Sequence, residues 1–142
     1  MGLMKASVSV GGLNCRGLGG RGAVKISQLL VDAYGCSADL NDDRFLLDLL
    51  ERAAEAARSH VVERVVHRYP KEGVTVILIL AETHLSVHTW PEHGYAAVDV
   101  FICGEGRDPH AAWDVIKEGL GPASFEEKEI YRTIGRKGED KP

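Results

Sequence analysis

From Gly73 to Gly104 the chain reads GVTVILILAETHLSVHTWPEHGYAAVDVFICG, and the parity of this stretch decides the fold. Successive side chains of a strand point to opposite sides of a sheet, so each run separates into two faces. In the run from Tyr95, the set Ala96, Val98, Val100 and Ile102 is uniformly apolar and should face helices, while Tyr95, Asp99, Phe101 and Cys103 look the other way. In the run before it, Leu85 and Val87 take one side, and His84, Ser86, His88 and Trp90 take the other. Val74 to Leu80 is apolar on both parities apart from Thr75. The second sheet face should therefore not be wholly wet, and a sheet from a second subunit is expected to cover it.

Outward from this core, Pro70-Lys71-Glu72, a break at 82–83 and Pro91-Glu92-His93-Gly94 divide four β-rich runs: Val61 to Tyr69, Gly73 to Ala81, His84 to Trp90 and Tyr95 to Cys103. They predict an antiparallel meander. Upstream, Asn41 is a candidate cap for a helix that begins with Asp42 and Asp43 and repeats Leu46, Leu49, Leu50, Ala53 and Ala57 at helical spacing. Ile26, Leu30, Val31 and Tyr34 mark a first strand beginning near Lys25 and closed by Gly35-Cys36. Downstream, Pro109 falls in the first turn of a second helix running to about Gly119, and Ser124 to Ile134 alternates as a last strand. The order βαββββαβ predicts an α+β two-layer sandwich, a mainly antiparallel sheet with two helices on one face.

A chain of 142 residues is the usual size of one domain, expected here over 23–135. Residues 1–22 hold seven glycines and read as a flexible tail, and 136–142 read as a charged one. A net charge of -4 offers no electrostatic footprint for nucleic acid. The longest apolar stretch, Val74 to Ala81, is far short of the roughly 18 residues that span a membrane. The first 22 residues lack the continuous apolar region of a secretory signal, so a cytoplasmic protein is expected. Cys15, Cys36 and Cys103 form no CxxC pair, which argues against a disulfide framework and a zinc site and leaves each thiol to act individually.

Histidines, carboxylates, aromatic residues and a thiol crowd into residues 82–103, mostly on the face away from the helices. Singly, each has a plainer reading: Cys103 as a packing residue, His84 and His88 as surface histidines. Residues four apart on a strand lie roughly 13 Å apart at about 3.3 Å per residue, too far to share a tetrahedral metal, and no metal is expected. A hydrolase triad of Thr83, His88 and Asp99 lacks a nucleophile elbow, and the glycines at 11–12 and 17–20 lack the Gly-Lys-Ser/Thr ending of a phosphate loop.

The segment Glu82-Thr83-His84-Leu85-Ser86-Val87-His88-Thr89-Trp90-Pro91-Glu92-His93-Gly94-Tyr95-Ala96-Ala97-Val98-Asp99-Val100-Phe101-Ile102-Cys103-Gly104 closely resembles the core signature of prokaryotic pyruvoyl-dependent S-adenosylmethionine decarboxylases. Weaker similarity covers about residues 24–120, through Leu29-Leu30-Val31-Asp32-Ala33-Tyr34-Gly35-Cys36 and through His67-Arg68-Tyr69 with Gly73-Val74-Thr75. The resemblance implies self-cleavage between Glu82 and Thr83 into a β chain of 1–82 and an α chain of 83–142, with His88 as processing histidine and Thr75 at the processing serine. It implies a covalent pyruvoyl-type cofactor derived from residue 83, whose ketone forms a Schiff base with S-adenosylmethionine as carbon dioxide leaves. Cys103 is the implied proton donor, and Tyr69, Leu85 and Glu92 are the implied substrate contacts, Tyr69 stacking on adenine and Glu92 reaching the ribose hydroxyls.

The implied assembly is a homodimer of αβ protomers, and the implied product is the aminopropyl donor of spermidine synthesis. The sequence departs from the family at Thr83, where serine is usual and where threonine would leave a 2-oxobutanoyl group, and at Gln28, often histidine. Threonine's extra methyl restricts χ1 and crowds the attack. An unprocessed or regulatory homologue, or an arginine or ornithine decarboxylase of the same build, are the alternatives.

Overall fold

The computed structural model describes residues 24–135. Both tails expected from the sequence lie outside them. The elements run β1 (Val24–Tyr34), α1 (Asp43–Ala56), β2 (Val61–Arg68), β3 (Val74–Leu80), β4 (His84–Trp90), a 3-10 turn (Pro91–His93), β5 (Tyr95–Phe101), α2 (Pro109–Leu120) and β6 (Ser124–Ile134). Among the described residues the strands form a six-stranded sheet in the order β2-β3-β4-β5-β1-β6, with every neighbouring pair antiparallel. The meander β2-β3-β4-β5 follows the chain, and β1 returns beside β5 with β6 at its outer side. Helices α1 and α2 pack on each other and on one face of this sheet, which is the α+β sandwich expected from the element order.

Parity decides which face is covered. In β5, Ala96, Val98 and Val100 are buried and alternate with partly exposed neighbours, and Leu85 and Val87 of β4 join them under the helices. From α1, Leu46, Leu49, Leu50 and Ala53 meet this layer, and from α2, Ala112, Trp113, Ile116 and Leu120. Each large apolar side chain buried this way is worth about 1.5–3 kcal/mol, against about 1 kcal/mol for a helix cap. Packing, more than capping, therefore holds the helices.

The cap of α1 is one residue later than the sequence suggested. Asp42 takes the extended N-cap conformation and accepts from Phe45 N at 3.0 Å, while the Asn41 side chain instead accepts the Gly73 N–H at 2.9 Å. Either residue type can cap a helix; the β2–β3 turn offers Asn41 an N–H that Asp42 does not reach. On the face opposite the helices, Val65, Ile79, Trp90 and Tyr34 are exposed in the single chain, and Leu30, Ile77 and Phe101 are only partly covered.

Candidate active site

The chemistry collects at two places on the sheet. At the first, the end of β2 turns through Pro70-Lys71-Glu72 and closes with Tyr69 N donating to Gly73 O at 3.0 Å. Gly73 has φ +104, and a Cβ there would stand 3.0 Å from Thr89 O, so this turn needs glycine. The turn sets the Tyr69 ring beside β3. The Tyr69 hydroxyl and Thr75 Oγ1 are 3.1 Å apart, and Thr75 Oγ1 lies 2.8 Å from His88 Nδ1, because Thr75 and His88 are direct partners in the β3–β4 ladder. His67, packed edge-on at 4.7 Å between ring centres, backs Tyr69.

These residues open onto a cavity of about 330 Å³ lined by Tyr69, Glu72, Thr75, His88, Thr89, Trp90 and Glu92. That volume is within the range of small-molecule sites, and the lining sets two aromatic rings, Tyr69 and Trp90, beside polar and acidic side chains. Glu92 is carried by the 3-10 turn, which Gly94 ends in the left-handed conformation at φ +58. Thr89, buried, ties the floor of the cavity to the loop before α1 by donating to Leu40 O at 2.7 Å.

The second place is the β3–β4 hairpin tip, Ala81 to Thr83, closed by Leu80 N donating to Thr83 O at 2.9 Å. Thr83 Oγ1 donates to the Phe101 carbonyl at the end of β5, beside the segment that leads to Cys103. The Glu82 side chain is fully buried, 2.6 Å from Arg107 Nη2, and accepts from Ser59 Oγ at 3.3 Å. Cys103 is 5 % exposed.

Of the residues singled out from the sequence, Tyr69, Thr75, His88 and Glu92 are brought together around one cavity. Glu82, Thr83 and Cys103 gather at the hairpin tip. Leu85 joins neither: its side chain is 0 % exposed on the helix side, as its own parity requires, so it is no side-chain contact for a substrate. Trp90, Glu72 and Thr89 were not singled out. Trp90 shares the parity of His88, a signal that was present, whereas Glu72 lies in a turn that has no periodicity to read. Gln28 donates to Asp99 Oδ1 at 2.8 Å, and His84 Nε2 lies 3.3 Å from Asp99 Oδ2. An amide N–H thus occupies a place where an imidazole N–H would serve equally. Among the described residues, no group of three or more His, Cys, Asp or Glu side chains is arranged to hold a metal ion, and no helix is long and apolar enough to cross a membrane.

Residues 27–133 match the family model for S-adenosylmethionine decarboxylase. An S-adenosylmethionine decarboxylase proenzyme of Prochlorococcus marinus is 41% identical over 104 residues, 72% of this chain and 83% of the relative. Another, from Pyrobaculum arsenaticum, is 41% identical over 112 residues, 78% of this chain and 89% of the relative. Among solved structures, the adenosylmethionine decarboxylase of Aquifex aeolicus superposes with a TM-score of 0.72 at 32% identity, covering 82% of this chain and 98% of that one. With the family model spanning nearly all of the described residues, the chain belongs to the S-adenosylmethionine decarboxylase family.

Proposed function

We propose that the chain is a self-processing proenzyme that decarboxylates S-adenosylmethionine, yielding carbon dioxide and the aminopropyl donor for spermidine synthesis. One observation carries this reading: Tyr69, Thr75, His88 and Glu92, drawn from the turn after β2, from β3, from β4 and from the 3-10 turn, line a single cavity. In processing, Thr83 Oγ attacks the Glu82 carbonyl carbon, and the amide becomes an ester with the Thr83 amine freed. Elimination then releases residues 1–82 with Glu82 as a carboxylate. Water adds to what is left and ammonia departs, so that residues 83–142 begin with a 2-oxobutanoyl group. The ketone so formed supplies the electron sink for decarboxylation, through a Schiff base to the substrate amine.

The rest falls to the chain's own side chains. The Tyr69 and Trp90 rings hold the adenine and favour the sulfonium charge, and Glu92 takes the ribose hydroxyls. Cys103 returns a proton after carbon dioxide leaves. His88, oriented by Thr75, moves the proton of the attacking hydroxyl.

This last role supports a dimer. Thr83 and His88 are five residues apart along an extended strand, roughly 16 Å at about 3.3 Å per residue, so His88 does not reach the hydroxyl of its own chain. A second protomer packed on the apolar outer face would bring the partner's His88, Thr75, Tyr69 and Glu92 to Thr83 and Cys103. A stalled, regulatory proenzyme is the competing reading, favoured by the Thr83 hydroxyl being turned to Phe101 O. Release of labelled carbon dioxide from carboxyl-labelled S-adenosylmethionine, but not from arginine or ornithine, is the expected result. Release from neither the nucleoside nor the amino acids supports the stalled form.

A further inference from the structure

The buried side-chain pair beside the hairpin tip, the Glu82 carboxylate and the Arg107 guanidinium, is given no role by the reaction described above. The Glu82 side chain is 0 % exposed and that of Arg107 7 %, yet the Glu82 residue as a whole is partly open, so what it shows to solvent is its peptide backbone. A fully sheltered carboxylate is thus anchored beneath an accessible peptide bond. Arg107 Nη2 lies 2.6 Å from Glu82 Oε1, Arg107 Nη1 donates to the Arg58 carbonyl, and Ser59 Oγ donates to the other Glu82 oxygen. Arg58 has φ +60, the one non-glycine residue in the left-handed region among the described residues. It is the left-handed residue that ends α1, with Ser59 N donating to Ala54 O at 2.9 Å, and this cap turns the Arg58 carbonyl toward Arg107. The backbone tightens the same knot. Ala81 N donates to His60 O at 2.9 Å, Asp108 N to Ala57 O at 3.3 Å and Arg107 N to Gly104 O at 3.3 Å. The end of α1, the loop from β5 to α2 and the β3–β4 hairpin are therefore joined around one side chain.

Bringing two charges out of water is costly, and apolar replacements of similar volume often serve stability as well or better. The pair is better understood by what it holds in place. The Nη1 hydrogen bond to the Arg58 carbonyl orients the guanidinium and leaves Nη2 as a close ion-pair contact, not an aligned hydrogen bond, on the otherwise unpartnered Glu82 Oε1. We infer that Arg107 is a positioning residue for maturation: by clamping the Glu82 carboxylate it fixes the Glu82 carbonyl for attack by Thr83 Oγ. The inference rests on the self-cleavage proposed above. It has a second consequence: Glu82 ends the 1–82 fragment and Arg107 lies in 83–142, so the pair spans the cut and keeps the two products docked.

The test follows chain splitting over time in T83S protein and in T83S carrying R107K or E82M/R107M, with thermal unfolding measured alongside. E82M/R107M removes both buried charges and is expected to stay folded. R107K keeps the charge but loses the guanidinium, and it carries the comparison if the double variant does not fold. Both should split at least about tenfold more slowly than T83S, within the roughly 100-fold that misplacing a reacting group by about 1 Å can cost. Hydroxylamine, which cuts an ester and spares an amide, should not restore splitting, since the ester itself forms slowly. Folded variants that split at the T83S rate, or that hydroxylamine rescues, overturn the role of Arg107 and leave self-cleavage standing. T83S protein that never splits overturns both.

Discussion

Thr75 is bonded on both sides, to the Tyr69 hydroxyl and to His88 Nδ1, and its value to the site is that it fixes the direction of the imidazole. T75V keeps the shape and β-branching of the residue and removes only the hydroxyl. Splitting of the chain is expected to slow by at least about tenfold, less than the roughly 100-fold or more of losing the proton carrier itself, with thermal unfolding little changed. Equal splitting rates in T75V and parent would remove Thr75 from the processing machinery. The individual identities of Tyr69, Thr75, His88 and Glu92 were legible through resemblance, and strand parity independently put His88 on the open face. Leu85 has its side chain in the core, as its parity already indicated, which leaves only its backbone to meet a substrate. Arg107 was not legible, because it lies in a loop whose sequence has no period and its partner is 25 residues away.

The elements were read closely where alternation or helical spacing was strong, and their ends shifted by a residue or two where strands fade into turns. The cap of α1 moved from Asn41 to Asp42 because a cap is chosen by what else competes for the side chain, here the Gly73 N–H. Strand order was only partly legible: hairpin neighbours follow the chain, but the pairing of β1 between β5 and β6 depends on contacts with no local signal.

Two predictions belong to this scale. The α1–α2 contact is close at Gly119, where a Cβ would lie 2.3 Å from Leu49 Cδ1, and Leu49 is fully buried with no room to yield. G119A should therefore destabilise the protein by about 1–3 kcal/mol in urea unfolding despite alanine's better helix propensity. A variant as stable as the parent would mean the helices can separate at no cost. On the open face, Tyr95 donates to Asp32, and burial first, then that carboxylate, push its pKa up to about 12 from 10.0. The folded form thus keeps a proton that the unfolded form loses, so this contribution to stability is intact below pH ~10 and is lost as pH rises toward ~12. Urea midpoints should fall less steeply over that interval in Y95F than in the parent. Identical slopes would show that the hydroxyl is not held by Asp32.

For the whole molecule, the separation of the hairpin tip from the His88 cavity is the fact that asks for a partner. T83A and H88A chains should each fail to split alone, but when co-expressed the H88A chain should split while the T83A chain stays whole, because a mixed dimer restores one complete site. Splitting of H88A by itself, or no splitting in proven mixed dimers, would contradict a shared site. The expectations about splitting all depend on a backbone that cuts itself between Glu82 and Thr83. Intact mass measurement of the purified protein, with T83S in parallel, tests that most directly. The account predicts two masses, for residues 1–82 and for residues 83–142 lacking a free amine and reactive toward a carbonyl reagent, with T83S cutting faster. A single unbroken chain of 15.5 kDa in both proteins, with residue 83 chemically unaltered, would contradict it.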